Sequence, residues 1–222
     1  MNDNKLNFDY AIFDFDGTLA DTGEGVFESI QYAVKETGHE LLTEKQLHTF
    51  IGPPLEASLK RECNIEGEEA QEIVKKYREH YAKIGIFKLR FFDSTVSTLK
   101  TLHEAGVKIG VGSSKPEKFI KEILDNCNLT EYFDCISGAS LEENHKNKIG
   151  IVSTALDRLN VKDKSRALMI GDRCFDVEGA HGCGIECVCV LEGGYGSREE
   201  FEEAGAEYTV ETLADTVKLI IN

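Results

Sequence analysis

Proline is scarce in this 222-residue chain, three residues against twenty glycines, so tight turns rather than extended linkers are expected between its elements. Positive charge is also in deficit. Twenty-five Lys and Arg face forty Asp and Glu, a formal net charge of -15, which excludes a generally nucleic-acid-binding surface because such surfaces draw their affinity from basic side chains. No apolar run reaches the length of a membrane span, and the first residues, MNDNKLNFDY, lack the basic and apolar regions of a secretory signal. The expectation is a cytoplasmic protein with no membrane or nucleic-acid partner. Seven cysteines follow no regular framework and fit reduced thiols. Cys183, Cys187 and Cys189 surround the apolar run IECVCVL without C-x-x-C spacing or a histidine partner, and are read as buried thiols rather than metal ligands. The six histidines, His39, His48, His80, His103, His145 and His181, share no ligand spacing either.

What the sequence does contain is a recurrence of short apolar runs: FDYAIFD (8–14), VKIGVG (107–112), FDCIS (133–137), RALMIG (166–171), IECVCVL (185–191) and EYTV (207–210). Amphipathic segments of helical length separate them, at 94–105, 116–127, 147–160, 174–182 and 211–220. Strands alternating with helices predict an α/β fold, a Rossmann-like parallel sheet covered on both faces. The stretch from 22 to 87 breaks the alternation with four helical patterns, 22–37, 43–50, 54–63 and 66–83, and no convincing strand. It predicts an all-helical insertion (22–87) into an α/β core formed by 1–21 and 88–222. The acidic cluster at 199–207 reads as a solvated helix face.

Ligands of open parallel sheets collect beyond the carboxyl ends of the strands. Three such ends carry polar groups: Asp14 and Asp16 after the first strand, Ser113, Ser114 and Lys115 after the second, and Gly171, Asp172 and Asp176 after the fourth. In DFDGTLAD (14–21) the two acids are two residues apart, and Gly17 permits a sharp turn. A phosphate dianion beside such acids would be repelled by about 4 kcal/mol per charge pair at roughly 4 Å and an effective dielectric near 20. A divalent cation resolves that conflict, and carboxylate oxygens suit Mg²⁺ better than Zn²⁺. Asp14 is then placed to attack phosphorus, Asp16 to give and take protons, and Ser113 with a lysine to hold the charged group in transfer.

DFDGTLAD, VGSSKP (111–116), KIGIV (148–152) and GDRCFD (171–176), in that order, resemble the four motifs of the haloacid dehalogenase (HAD) superfamily, and specifically its phosphoglycolate phosphatase-like branch. The resemblance runs from about Tyr10 to Tyr208. It implies that Asp14 is the nucleophile and Asp16 the general acid/base, with the main-chain carbonyl of Asp16 also on Mg²⁺. Asp172 is implied as a direct metal ligand, and Asp176 as a ligand or the holder of a metal-bound water. Ser113 matches the phosphate-binding hydroxyl and Lys148 the third-motif lysine, with Lys146 a nearby rival. Gly17, Thr18, Ser114 and Lys115 adjoin the phosphate site and are candidate substrate contacts. Arg173 is open to an ion-pair or a substrate role. The insertion takes the place of the family's helical cap, whose closure would expel water, and IGPPL (51–55) resembles the cap loop facing the substrate; Gly52 and Pro53 are therefore candidates for binding it, and Lys60 and Arg61 for contacting an anion.

The expected activity is Mg²⁺-dependent hydrolysis of a small phosphorylated metabolite, a phosphoglycolate-like compound or a nucleoside monophosphate, by a monomer or homodimer. Alternatives are an inorganic pyrophosphatase, a β-phosphoglucomutase-like phosphotransferase and a phosphate-binding regulatory module without turnover. FFDS (91–94) departs from the family's usual Tyr or Phe, Pro and Gly before the core resumes, and EENHKNK lacks the Arg or Asn often found before the third-motif lysine. Those departures leave the substrate as a family-level expectation.

Overall fold

The computed structural model describes residues 6–140 and 147–222. Along the chain lie β1 (Tyr10–Phe13), β2 (Ala20–Asp21), α1 (Gly23–Glu36), α2 (Glu44–His48), α3 (Leu55–Cys63) and α4 (Gly67–Lys83). Then come β3 (Arg90–Phe91), α5 (Thr95–Glu104), β4 (Lys108–Pro116), α6 (Glu117–Asn126), β5 (Cys135–Ala139) and α7 (Lys148–Arg158). The chain ends through β6 (Ala167–Gly171), α8 (Cys174–Cys183), β7 (Glu186–Val190), α9 (Arg198–Ala204), β8 (Tyr208–Val210) and α10 (Val217–Ile220). Two compact units result, one of residues 1–20 and 91–222, the other of residues 21–90.

The first unit is a six-stranded sheet in the order β5-β4-β1-β6-β7-β8, and every pairing in it is parallel. It is the Rossmann-like α/β fold expected of the chain. β1 sits between β4 and β6, pairing Phe13 with both Val111 and Ile170, so the loops that leave these three strands emerge side by side. Helices cover both faces, which is why the strands read as continuous apolar runs. In β7, Cys187, Val188, Cys189 and Val190 are all buried, and the cysteines are free thiols. On one face Ile12, Met169 and Cys187 pack with Val152, Ala155 and Leu156 of α7 and Val177 and Ala180 of α8. Each large aliphatic side chain buried in this way contributes about 1.5–3 kcal/mol.

Residues 211–220, expected as one helix, instead form a 3-10 turn at Leu213–Thr216 followed by the single turn of α10. Most of the acidic cluster lies on α9, where Glu199, Glu202 and Glu203 form the expected solvated face and Phe201 is buried beneath it.

The second unit is all-helical apart from the ends at which the chain enters and leaves it. There β2 and β3 pair as a two-stranded ribbon, too short to show a strand pattern in the sequence. Its interior is built from Ile30, Ala33 and Val34 of α1, Leu59 of α3, and Ile73, Val74, Tyr77 and Tyr81 of α4. No helix among the described residues is long and apolar enough to cross a membrane.

Candidate active site

At the carboxyl ends of β1, β4 and β6 the chain buries charge where it could have kept it in water. Asp14, one residue beyond β1, is buried, and so are Asp172, just after β6, and Asp176 in the first turn of α8. One carboxylate oxygen from each lies within 4.8 Å of the others. This is the one set of three or more His, Cys, Asp or Glu side chains with metal-holding geometry found among the described residues.

Lys148, the first residue of α7, enters this cluster. Its Nζ lies 2.7 Å from Asp14 Oδ1 and 2.6 Å from Asp176 Oδ1. Asn147 caps the same helix by accepting the Gly150 N–H at 3.0 Å, which fixes where the lysine departs. The rival Lys146, like His145, falls outside the described residues. Asp176 is held from behind, its Oδ2 accepting the N–H groups of Asp172 at 3.1 Å and Arg173 at 3.0 Å. Asp172 Oδ1 accepts from the Thr18 hydroxyl at 3.1 Å.

Burial pushes the Asp14 carboxyl up to about 6, against the opposing pull of Lys148, with Asp176 and Asp16 adding to the rise. Asp172 is raised well above the ordinary carboxylate range by burial first, then by the charges of Asp176 and Asp14. Lys148 moves the other way: burial opposes its charge, but Asp14 and Asp176 outweigh that and hold its proton more firmly than in water.

With all three carboxylates ionised, as a bound cation would favour, one ammonium against them leaves two negative charges, which a divalent ion matches. Asp172 Oδ2 is buried with no hydrogen-bond partner, an expensive state for a carboxylate oxygen unless another group meets it. Asp176 Oδ1 also lacks a well-directed hydrogen bond, but the 2.6 Å approach of Lys148 compensates it, so Asp172 carries the unmet demand. All-oxygen donors of this kind fit Mg²⁺.

The neighbouring residues divide by role. Asp16 pairs with Lys115, whose Nζ donates to Oδ1 at 2.8 Å. Lys115 is buried rather than solvated, and its ammonium lies 5.8 Å from the centre of the Phe15 ring. Ser113, Ser114 and Lys115 lie within the last residues of β4 rather than after it, where the pairing with β5 shifts register; Ser113 is buried and its hydroxyl accepts the Lys115 N–H at 3.2 Å, and Ser114 is half-buried. Gly17 has a φ of 85°, and a Cβ there would overlap the Asp172 carboxylate.

The remaining candidates have the following surroundings within their own units. Gly52, with a φ of 101°, and Pro53 belong to the loop before α3 in the helical unit. Lys60 there pairs with Glu66 at 2.7 Å, and Arg61 pairs with Glu62 at 2.8 Å and donates to the Thr49 carbonyl at 2.9 Å. Arg173 takes the ion-pair role, its Nε 2.9 Å from Glu200 Oε1. The sequence reading passed over the segment EGGYGS (192–197) after β7. A Cβ on Gly193 would overlap the Gly17 carbonyl, and one on Gly196 the Asp172 carbonyl. The signal was available: three glycines within four residues beyond a buried strand indicate close backbone approach.

The family model described as haloacid dehalogenase-like hydrolase matches residues 11–190. A 5'-nucleotidase of Pseudomonas aeruginosa is 33% identical over 200 residues, covering 90% of each chain. Tyrosine-protein kinase PtkA of Mycobacterium tuberculosis is 33% identical over 206 residues, 93% of this chain and 69% of that protein. Relatives at 26–30% identity are named phosphoglycolate phosphatase or pyrophosphatase PpaX. Among solved structures, a predicted phosphatase from Clostridium acetobutylicum superposes with a TM-score of 0.90 at 34% identity, covering 97% of this chain and 98% of that one.

Proposed function

Since this chain belongs to the haloacid dehalogenase-like hydrolases, we propose that it is a Mg²⁺-dependent phosphatase that cleaves a small phosphorylated metabolite through an aspartyl-phosphate on Asp14. The observation that carries this reading is the buried cluster of Asp14, Asp172 and Asp176 around Lys148, with Asp172 Oδ2 left unmet. The three carboxylates would hold Mg²⁺, with the main-chain carbonyl of Asp16 as a further oxygen. The bound ion would neutralise the site and draw charge from the phosphoryl oxygens.

Each step uses a residue of this chain. Lys148 orients Asp14 through Oδ1 and keeps its charge near the transferring group. Asp14 attacks phosphorus; the Asp14 O–P bond forms as the bond to the leaving oxygen breaks, and Asp16 gives that oxygen its proton. Water then attacks the same phosphorus, Asp16 recovers a proton from it, and Asp14 departs with the bonding pair as orthophosphate leaves. Ser113 would hold a phosphoryl oxygen, beside the Gly17–Thr18 turn, whose Gly17 N–H is itself spent on the Ala20 carbonyl at 2.8 Å. Lys115, which donates to Asp16 Oδ1, would hold the general acid/base in place at the edge of the phosphate site.

Nucleoside monophosphates lead the substrate classes because the 33%-identical Pseudomonas relative carries the name 5'-nucleotidase; phosphoglycolate follows. Pyrophosphate is the second reading, favoured by the relatives named PpaX. Ranking these substrates by kcat/KM separates the readings, with p-nitrophenyl phosphate as a general probe. Asp14→Asn is expected to fold normally, as judged by thermal melting, and to lose at least about 10³-fold in kcat. Near-normal turnover in that variant, or turnover of the wild type indifferent to Mg²⁺, would overturn the reading.

A further inference from the structure

Glu200 belongs to none of the motifs, yet it reaches the loop that carries two of the three clustered acids. Its Oε1 accepts the backbone N–H of Cys174 at 2.8 Å and Arg173 Nε at 2.9 Å. Those two residues lie between Asp172 and Asp176. From the other side, Asp176 Oδ2 accepts the N–H groups of Asp172 and Arg173. The backbone of the 172–174 loop is therefore held by two carboxylates at once, one belonging to the cluster and one outside it.

Glu200 is itself well anchored. Its N–H donates to the Ser197 hydroxyl that caps α9, at 3.2 Å, and the adjacent Phe201 is fully buried. Gly196 packs so closely on the Asp172 carbonyl that no side chain would fit there. The Arg173 and Glu200 side chains are only 16% and 25% exposed, so the pair between them is shielded from competing water.

We propose that Glu200 is a positioning residue that presets Asp172 and Asp176 for Mg²⁺. Without its carboxylate the Cys174 N–H loses its acceptor and Arg173 loses its anchor. The loop then samples arrangements in which the acids do not converge, and the ion must bear the cost of ordering it. This inference rests on the phosphatase reading above.

The test measures Mg²⁺ binding by calorimetry on the full-length wild type, Glu200→Gln and Glu200→Ala, beside thermal melting without Mg²⁺ and Mg²⁺ titrations of p-nitrophenyl phosphate turnover. Affinity is expected to weaken by about tenfold in Glu200→Gln, which keeps an acceptor but loses the charge, and by up to about 100-fold in Glu200→Ala. In both variants kcat at saturating Mg²⁺ should return to within about threefold of wild type. Wild-type Mg²⁺ affinity in Glu200→Gln overturns the proposal even if melting shows a loss of stability, and it decides the matter if Glu200→Ala does not fold. A wild-type protein that neither binds Mg²⁺ nor releases phosphate removes the underlying reading, and this inference with it.

Discussion

At position 17 the backbone turns with a φ of 85°, and the space where a Cβ would stand is taken by the Asp172 carboxylate. Both constraints select glycine, and they differ in kind: the first is local strain, the second is a collision with a group more than 150 residues away. Gly17→Ala is expected to lower stability by about 1–3 kcal/mol and to weaken Mg²⁺ binding, because Asp172 must move aside. Melting and calorimetry on one preparation check both effects; unchanged Mg²⁺ affinity would mean that the acid relaxes without consequence. At this scale the ordered motifs single out Asp14, Lys148 and Asp172, residues far apart in the chain that the fold brings into one cluster. Glu200 was invisible because an acid among the acids of α9 looks like its neighbours until the fold brings it to Cys174. Lys115 was ambiguous for a similar reason, since nothing local to VGSSKP says that its ammonium would turn to Asp16.

Among the elements, β1 and β6 are joined at their amino ends by a clamp as well as by their ladder. Arg166, just before β6, forks onto Asp9, just before β1, with Nε 2.9 Å from Oδ2 and a terminal nitrogen 2.7 Å from Oδ1. It also donates to the carbonyls of Asn7 at 2.6 Å and Leu6 at 2.9 Å. The Arg166 hydrogen bonds hold the Asp9 carboxyl below its ordinary range, outweighing partial burial. A lowered carboxylate stabilises the fold above the ordinary aspartate pKa, and that contribution disappears as pH falls through the lowered value. Arg166→Met should therefore cost about 1 kcal/mol near neutrality, a drop of about 2–4 °C in Tm. The gap should narrow in acid as Asp9 takes up a proton. Melting curves from neutral pH to below pH ~3 test this, and a gap independent of pH would assign the loss to the carbonyl contacts instead. The strands of the sheet were legible because burial on both faces writes them as apolar runs. The 211–220 segment reads as a helix because Leu213, Thr216 and Ile220 recur at helical spacing, and all three are buried. Its backbone is helical from Leu213 to Ile220, but its first turn is 3-10, begun at Thr212, whose hydroxyl donates to Asp215 Oδ2 at 2.8 Å and whose N–H reaches the same oxygen at 3.3 Å.

Over the molecule as a whole, the chain is acidic throughout, and the buried cluster is where three of its carboxylates are brought together away from water. Binding of a divalent ion to the folded form alone raises stability by RT ln(1 + [L]/Kd), about 2.7 kcal/mol at a hundred times Kd. Mg²⁺ should accordingly raise the Tm of the α/β unit and chelation should reverse it. Asp172→Asn, which removes the carboxylate with the unmet oxygen, should abolish the shift while ordinary salt at matched ionic strength reproduces none of it. An equal shift from Mg²⁺ in that variant would place the ion elsewhere. The division into an α/β unit and a helical one was legible in the sequence as a lapse in alternation. The two-residue strands at its edges were not, because so short a pairing leaves no periodicity to read.

That small ribbon has a historical consequence. Ala20–Asp21 and Arg90–Phe91 lie side by side, so the chain leaves and rejoins the α/β unit at neighbouring points, and residues 22–89 are in effect one long loop between them. The entropy of closing a loop grows only with the logarithm of its length once the ends are joined. Lineages descended from such a chain are free to lengthen, shorten or exchange the helical insert while the catalytic sheet is inherited unchanged.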